Sequence, residues 1–383
     1  MRRTAPDVGP EERRVIGCGV VDNVDAVAAR TVVTVRVASP VADDPSVARG
    51  CDDHTGVIPT VSQAFPSCPG MDVGDPTLRD RVAGVLVGLA VGDALGAPYE
   101  FQIPGPREPQ MVGGGIGPWE PGEWTDDTQQ AICVAQAAAG RRLDPLAVGE
   151  RLLEWFRAGP KDVGVHTRRV LSQARSGAEL ADIAADVHAL RPGNSAGNGS
   201  LMRTAPVALA HLGHDAAIAR QARAISSLTH ADPLCGDACV LWCIAIDRAV
   251  REERLDGIDE GLSLLPGSTR NRWAHWIAEA RRDPPARFVP NGFVVTALQT
   301  ALAAIEHTAR AATDAEHHVR LALRTAIATG HDTDTVGAIT GALVGARWGA
   351  RAFPTGWVEP LHGWPGLDAA GLGALALSVA GIT

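Results

Sequence analysis

From Met71 onward the sequence consists of long stretches with helical periodicity that are rich in Ala, Leu and Gly. Alternation of apolar and polar residues with a period of two is nearly missing, so a β-sheet is not expected. Aromatic residues make up 4% of the 383-residue chain and apolar residues 45%, so a core must be built from Ala, Val and Leu. The pattern predicts a compact all-α domain of many helices joined by short Gly/Pro loops.

Helix starts follow from capping residues. The Asp-Pro pair at 75–76 offers an N-cap and a first-turn proline, and the helix it starts is predicted to run to about Ala94. Gly84, Gly88 and Gly92 lie four apart in this helix and share one face, which lets another helix approach closely. Further helices are predicted at residues 128–139, 145–158, 167–176, 202–211, 216–228, 234–251, 293–310, 315–328, 335–345 and 372–380.

The first 70 residues differ in texture from the rest of the chain. They contain three of the seven cysteines, several prolines and one strand-like alternation at 31–37, without a helical period. We therefore predict a poorly ordered extension or a misassigned start at residues 1–70, and a helical domain at residues 71–383. Met71 would be the natural first residue of that domain.

Charge and cysteine usage restrict the class of protein and its compartment. The net charge is −9, which argues against a nucleic-acid binder held by its overall field. The cysteines form no CxxC pair, and Asp7, Glu11 and Glu12 stand where a signal peptide would need apolar residues. Reduced thiols in a cytoplasmic protein are expected. No run reaches about 18 uninterrupted apolar residues, so no membrane span is expected.

Two segments, Trp124–Thr128 (WTDDT) and His331–Thr335 (HDTDT), resemble each other. Each places two carboxylates and hydroxyls at the start of a predicted helix, and for either segment alone helix capping is a sufficient explanation. Capping needs one oxygen, however, and each segment offers at least three. Four carboxylates brought together repel one another unless neutralised, and two divalent cations balance their charge. Oxygen donors select Mg²⁺, Mn²⁺ or Ca²⁺ over Zn²⁺, so the pair predicts a two-metal site.

Five blocks carry a more specific signal. They are GLAVGDALGAPYEF at 88–101, GEWTDDT at 122–128, GNGSLMR at 197–203, LTH at 228–230 and DTDT at 332–335. In this order they resemble the ADP-ribosylglycohydrolase family. The resemblance implies an all-α, orthogonal multi-helix fold with two Mg²⁺ ions in a central cleft, Mn²⁺ being the alternative ion. It also implies hydrolysis of the bond between ADP-ribose and a modified acceptor.

The resemblance implies roles for individual residues. Glu100, taken alone, would be a solvated loop residue. The family places an acid beside the metals here, where it can act as a base toward the attacking water or gate access to the ribose. Asp127 is the second catalytic candidate, and Asp334 is implied to be shared between the ions. The implied metal ligands are Thr125, Asp126, Asp127, Asp332, Asp334 and Thr335.

A second set of residues is implied to bind the substrate. The Gly-Asn-Gly-Ser segment at 197–200 is expected to open a helix, where free N–H groups suit a diphosphate, but Asn-Gly is equally a common turn pair. His230, taken alone, is more often a structural residue. The resemblance places both in the ADP-ribose pocket. The implied substrate-binding residues are Gly197, Asn198, Gly199, Ser200, Met202 and His230.

Other residues near these motifs are expected to brace the fold, to line the cleft or to lie in the core. Arg203 is expected to brace the fold through carboxylates or carbonyls. The loop at 113–117 is expected near the cleft, and His331, where the family more often has Gly, is expected on its acceptor side, where it would narrow substrate choice. Burial in the core is expected for Phe101, Trp119, Trp124, Cys235, Cys239 and Cys243.

The sequence therefore predicts a cytoplasmic, monomeric, Mg²⁺-dependent hydrolase that releases ADP-ribose from a protein or small molecule, with no membrane partner. Nucleic acid is expected only as an ADP-ribosylated end. The sequence leaves the acceptor open between arginine, serine, another side chain, a nucleic-acid end and a small molecule. Two rivals are a non-catalytic, crystallin-like relative that binds ADP-ribose or metal, and a two-metal phosphohydrolase. Retention of all six implied ligands and Glu100 argues against the first.

Overall fold

The structure, a computed structural model, describes residues 72–138 and 141–382. Over these residues the chain forms fifteen α-helices and one antiparallel ribbon of β1 (His362–Gly363) and β2 (Leu367–Asp368). The all-α prediction is confirmed. The prediction for residues 1–70 lies outside the described residues, and the division at 71 stays a prediction. The helices are α1 (Pro76–Gly96), α2 (Asp126–Ala137), α3 (Pro145–Arg157), α4 (Val165–Leu171), α5 (Leu180–Leu190), α6 (Ala205–Ala210), α7 (Asp215–Ser227), α8 (Pro233–Glu252), α9 (Ile258–Gly261), α10 (Gly267–Arg282), α11 (Val294–Ala309), α12 (Ala315–Ile327), α13 (Thr333–Trp348), α14 (Thr355–Val358) and α15 (Ala369–Val379).

Helices α1 and α13 pack against each other in antiparallel fashion through glycine. A Cβ atom added to Gly88 would overlap the carbonyl oxygen of Gly341, and one added to Gly92 would overlap that of Gly337. The two backbones are therefore in direct contact, as the glycine face of α1 predicted. At the end of this glycine seam, a Cβ on Gly96 would lie 2.5 Å from the Cα of Asp334. The C-terminus of α1 and the N-terminus of α13 thus meet at one place.

The core lies around α8, in which every residue from Cys235 to Val250 is buried. A helix that is buried all round is typical of the centre of a large domain. Cys235, Cys239 and Cys243 are free thiols within it, so their expected burial is confirmed. By length and composition alone, the segment Pro76–Tyr99 is apolar enough to cross a membrane, but 89% of its most apolar window is buried inside the structure. It is the core helix of this domain.

The structure differs from the predicted helices in several places. Helix α4 ends at Leu171, before the predicted end, and the predicted helix at 202–211 begins only at Ala205, where Pro206 occupies its first turn. Residues Asn198–Ser200 form a single 3₁₀ turn, so the expectation that this segment opens a helix is wrong. Helices α5 and α10 were not predicted. Helix α10 is mostly polar, and its buried side is limited to Trp273, Ile277 and Ala280.

Candidate metal centre and substrate cleft

Helix α2 begins in the first carboxylate motif, and an acid from α1 holds its first turn. Thr125 is the N-cap, and its Oγ1 accepts from the N–H of Asp127 at 3.4 Å. The buried Asp93 accepts from the N–H groups of Thr125 and Thr128, each at 3.0 Å, and from the Thr128 hydroxyl at 2.6 Å. These bonds satisfy the start of the helix. Capping therefore does not account for the carboxylates of Asp126 and Asp127.

Helix α13 begins in the second motif. Asp332 occupies its N-cap position, yet the Asp332 Oδ2 accepts from the Nδ2 of Asn198 at 2.9 Å. The Oδ1 of Asp334 accepts from the N–H of Thr335 at 2.9 Å. His331 has a left-handed backbone with φ 61°, a conformation that glycine adopts without steric cost. This geometry gives a physical reason for a preference for glycine at position 331.

Glu100 reaches the same place from the loop after α1. One carboxylate oxygen from each of Glu100, Asp332 and Asp334 lies within 4.8 Å of the other two. The three residues line a cavity of about 330 Å³. The cavity therefore joins the ends of α1 and α13 to the 3₁₀ turn at 198–200. The other predicted site residues that line it are Asp126, Thr335, Gly197, Asn198, Gly199, Met202 and His230.

Four residues predicted for the site are not among the described residues that line the cavity: Thr125, Asp127, Ser200 and His331. Asp127 is buried, with its Oδ2 3.4 Å from the Thr125 hydroxyl. The hydroxyl of Ser200 is buried and accepts from Ser226 at 2.9 Å, so it serves the fold. His331 is likewise absent from the described cavity lining, and its role on the acceptor side stays a prediction.

The acids of this cluster raise one another's pKa. Burial, followed by the charges of Asp332 and Asp162, raises the pKa of Glu100 to about 8. Burial and neighbouring carboxylates likewise raise the pKa of Asp126 to about 8. The same causes, with burial the largest, hold the pKa of Asp334 well above its usual range. In the protein alone, the carboxylates of Glu100, Asp126 and Asp334 are therefore costly to ionise.

The cluster fits a divalent cation. Among the described residues lining the cavity there is no Arg or Lys to neutralise the acids. Within the described part of the chain, the buried Oδ1 of Asp127 has no hydrogen-bond partner, and burial raises the pKa of Asp127 well above the usual range. The available donors are carboxylate and hydroxyl oxygens, which Mg²⁺ and Mn²⁺ prefer.

Comparison with known proteins identifies the family. The sequence profile of the family described as ADP-ribosylglycohydrolase matches residues 74–381. The chain belongs to this family. It is 30% identical over 294 residues to the ADP-ribosyl-[dinitrogen reductase] glycohydrolase of Rhodospirillum rubrum, covering 75% of this chain and 92% of that protein. It is 31% identical over 296 residues to the ADP-ribosylarginine hydrolase Tri1 of Serratia proteamaculans (strain 568), covering 74% and 75%.

A solved structure supports the same family. It is described as an ADP-ribosylglycohydrolase-related protein complex, and it superposes with a TM-score of 0.63 at 32% sequence identity. The match covers 79% of this chain and 98% of the other. The all-α fold of this family member is therefore that of a solved relative.

The cavity contains an acid that lies outside the five sequence blocks. Asp162, between α3 and α4, lines the cavity together with His166. The neighbouring Lys161 binds Glu123 at 2.6 Å, which ties this loop to the start of α2. The His166 and His230 rings lie 4.6 Å apart, and burial lowers the pKa of both. No spacing in the sequence marks Asp162, because its place depends on the path of the loop.

Arg203 braces the family site from the core. Its guanidinium donates to the Oε1 of Gln130 and to the hydroxyl of Thr229, both at 2.6 Å. Gln130 in turn donates to the Oδ2 of Asp126 at 2.8 Å. One partner is thus a carbonyl, as expected, and the other is a hydroxyl, which was not expected. Two signals were available in the sequence: Asp93 is an acid inside an apolar helix, and Gln130 follows Asp126 by four positions.

The mouth of the cavity is apolar. Phe101 is 67% exposed and lines the cavity, so its expected burial in the core is wrong. The loop turns outward at this point, where Phe101 has φ 54°. Ile116, in the Gly-rich loop predicted near the cleft, also lines the cavity and is exposed. Trp119 and Trp124 are buried, as expected.

Proposed function

We propose that this protein is a Mg²⁺-dependent enzyme that releases ADP-ribose from an arginine side chain. One observation carries the proposal: three carboxylates from two distant segments meet within 4.8 Å in a cavity that holds no balancing Arg or Lys among its described lining residues. Family membership makes the glycosidic bond of an ADP-ribosylated acceptor the bond to be cleaved.

The ligand set proposed for two divalent ions comes from the two carboxylate motifs. Thr125 and Asp93 cap the start of α2, and the Asp332 side chain makes no capping bond at the start of α13, so helix capping does not account for these carboxylates. When bound, the ions would neutralise the acids and polarise oxygens of the distal ribose and of water. The ligands would be Thr125, Asp126, Asp127, Asp332, Asp334 and Thr335.

Glu100 is proposed to move the proton. Its pKa of about 8 lies close to neutrality, so its carboxylate can accept a proton from the attacking water and return it to the leaving group. Asp127 is proposed to orient the attacking water, either directly or through the ion that it binds. The neutral His230 and the glycine turn beside it are proposed to bind ADP-ribose. A Cβ on Gly199 would lie 3.0 Å from the His230 ring, so glycine at this position leaves more room in the cavity for the substrate.

Glu100→Gln tests this division of roles. We expect turnover to fall about a hundredfold or more, since a general base is lost, whereas Mg²⁺ affinity in calorimetric titration stays close to that of the wild type. Asp332→Asn is the matched comparison, because Asp332 lies in the same cluster but is proposed to bind metal. If Glu100→Gln weakens Mg²⁺ binding as much as Asp332→Asn does, Glu100 is a ligand and the proposed role is wrong.

An arginine acceptor is supported by the charge of the cleft and by the relatives. Asp162 adds a carboxylate beyond the proposed metal ligands, and a guanidinium is a cation suited to such a partner. The Tri1 relative is named as an ADP-ribosylarginine hydrolase.

We further propose that the enzyme acts as a cytoplasmic monomer; free, buried thiols in the described residues are compatible with a reducing compartment.

A panel of ADP-ribosylated arginine and serine peptides, incubated with Mg²⁺ or with EDTA, tests the proposal. We expect free ADP-ribose from the arginine substrate in Mg²⁺ and none in EDTA. Asp162→Asn should reduce the rate on arginine more than on serine. Binding of ADP-ribose without turnover would favour the crystallin-like alternative, and release of inorganic phosphate the phosphohydrolase. Hydrolysis that survives EDTA would refute the metal mechanism.

A further inference from the structure

Asn291 is a buried side chain in the loop before α11 that belongs to none of the motifs. Its Oδ1 accepts from the N–H of Asp332 at 2.9 Å. Its Nδ2 donates to the carbonyl of Gly330 at 3.1 Å and to the hydroxyl of Thr329 at 3.2 Å. One amide therefore spans the segment that leads into α13, and both of its polar atoms are bonded to it.

The spanned segment has an unfavourable backbone. Gly330 has φ 72° and His331 has φ 61°, so two successive residues are left-handed. Histidine in this region suffers a steric penalty that glycine escapes. Such a conformation persists only where surrounding bonds hold it. The bonds of Asn291 lie on both sides of His331 and hold its two flanking residues.

A second connection joins Asn291 to the side chain of Asp332. The Nδ2 of Asn198 donates to the backbone carbonyl of Asn291 at 3.0 Å and to the Oδ2 of Asp332 at 2.9 Å. Asn198 is itself fixed, since its N–H donates to the carbonyl of Gly292 at 3.1 Å. Both the backbone and the carboxylate of Asp332 are thus oriented relative to the loop at Asn291.

We propose that Asn291 is a positioning residue that fixes the Asp332 carboxylate in the cavity by holding the left-handed turn at Gly330 and His331. The inference rests on the proposed function in one respect, that Asp332 is a metal ligand. A ligand that is held in place before the ion arrives loses less conformational freedom on binding, so the turn raises metal affinity. Asn291 acts through Asp332 and does not touch the ion.

Mg²⁺ affinity of the full chain, measured by calorimetry, tests the proposal with a matched control. Asn291→Ala should weaken Mg²⁺ binding about tenfold, the effect of losing one or two buried hydrogen bonds. The control is Gln299→Ala, which removes another buried amide from the same region of the chain. Gln299 donates to the carbonyl of Trp276 at 2.9 Å and to the carboxylate of Glu279 at 3.3 Å, so neither of these bonds involves the turn at Gly330 and His331. It should lower thermal stability without changing Mg²⁺ affinity.

A second substitution separates positioning from general destabilisation. In Asn291→Ala/His331→Gly, glycine adopts the left-handed turn without its steric cost, so part of the lost Mg²⁺ affinity should return. A purely structural role predicts no such recovery. Equal Mg²⁺ affinity for Asn291→Ala and the wild type would overturn the proposal, as would equal losses in Asn291→Ala and Gln299→Ala.

Hydrogen exchange keeps the inference distinct from the proposed function. The N–H of Asp332 is bonded to Asn291, so Asn291→Ala should speed exchange in the peptide covering residues 329–335, with or without Mg²⁺. Wild type that binds no Mg²⁺ would refute the metal site, and the exchange result would then decide the turn alone. Unchanged hydrogen exchange in this peptide would show that Asn291 does not hold the turn at Gly330 and His331. If Asn291→Ala does not fold, Asn291→Asp keeps the shape and the acceptor, loses both donated bonds, and is read by the same exchange measurement.

Discussion

Two neighbouring regions of the α1–α13 pair differ in what holds them together. In the glycine seam, residues 84–92 of α1 contact residues 337–345 of α13 and bury apolar neighbours. In the acid cluster, just beyond the C-terminus of α1 and at the N-terminus of α13, carboxylates come together. In the glycine seam, packing and backbone geometry favour one arrangement. In the acid cluster, burial and mutual repulsion oppose the arrangement that is observed. The unfavourable cluster persists because the seam fixes the helix ends that carry it. Stability and function are thus separated along one helix pair.

Asp334→Asn should show the separation most strongly. The amide keeps the volume but removes a negative charge from the proposed shared ligand, so hydrolysis should fall about a thousandfold or more. The same loss of repulsion should raise the melting temperature of the metal-free protein, because Asp334 is buried among acids. Activity assays and thermal unfolding in EDTA measure the two effects. A variant that is both inactive and less stable would contradict the comparison.

Gly341→Ala tests the seam. The added Cβ would overlap the carbonyl oxygen of Gly88, so the free energy of unfolding should fall by about 3 kcal/mol. The control is Gly373→Ala in α15, where the nearest atom to a new Cβ is the Cβ of Ala83 at an ordinary 3.5 Å. That change should stabilise by about 0.5–1 kcal/mol. Denaturant unfolding measures both; similar values for the two variants would mean that the backbones do not touch.

The pH dependence of stability sharpens the comparison on the acid side. Burial and neighbouring carboxylates raise the pKa of Glu100 and of Asp126 to about 8 in the folded protein, from ordinary values of 4.5 and 3.8. At these two groups the folded state binds more protons than the unfolded state. The buried histidines, whose pKa values are lowered, act in the opposite direction only below about 6.5, so metal-free stability should fall as pH rises from about 6.5 to about 8. Mg²⁺ should raise the melting temperature more at pH 8 than at pH 5. A melting temperature in EDTA that rises over this window would contradict the raised pKa values.

The smallest effect is expected from removing the first 70 residues. A chain that begins at Met71 retains the seam, the acid cluster and the whole family match at 74–381. It should unfold at the same temperature as the full chain and hydrolyse substrate at the same rate. Loss of solubility or activity would show that residues 1–70 contribute to the folding or the activity of the protein.

Local chemistry in the sequence predicted much of this. The cap at Asp75, the glycine face of α1 and the doubled carboxylates at two helix starts each act over a few residues, and each appears in the structure. Asp93 and Asn291 were missed, because each acts on a partner in another segment. Helix α10 was missed because its charged surface conceals a narrow buried side. Contacts that join distant segments leave little trace in local periodicity.

The pairing of α1 with α13 has a consequence for the order in which the chain is made. Helix α1 is among the first described elements to leave the ribosome, and the helix that covers its glycine face is among the last. Contacts of such long sequence separation form slowly, and an apolar segment waiting for its partner is prone to aggregate. Through most of synthesis, the segment Pro76–Tyr99 lacks the helix that covers its glycine face, although its composition is that of a membrane span. We therefore expect the nascent chain to be most prone to aggregate until α13 emerges.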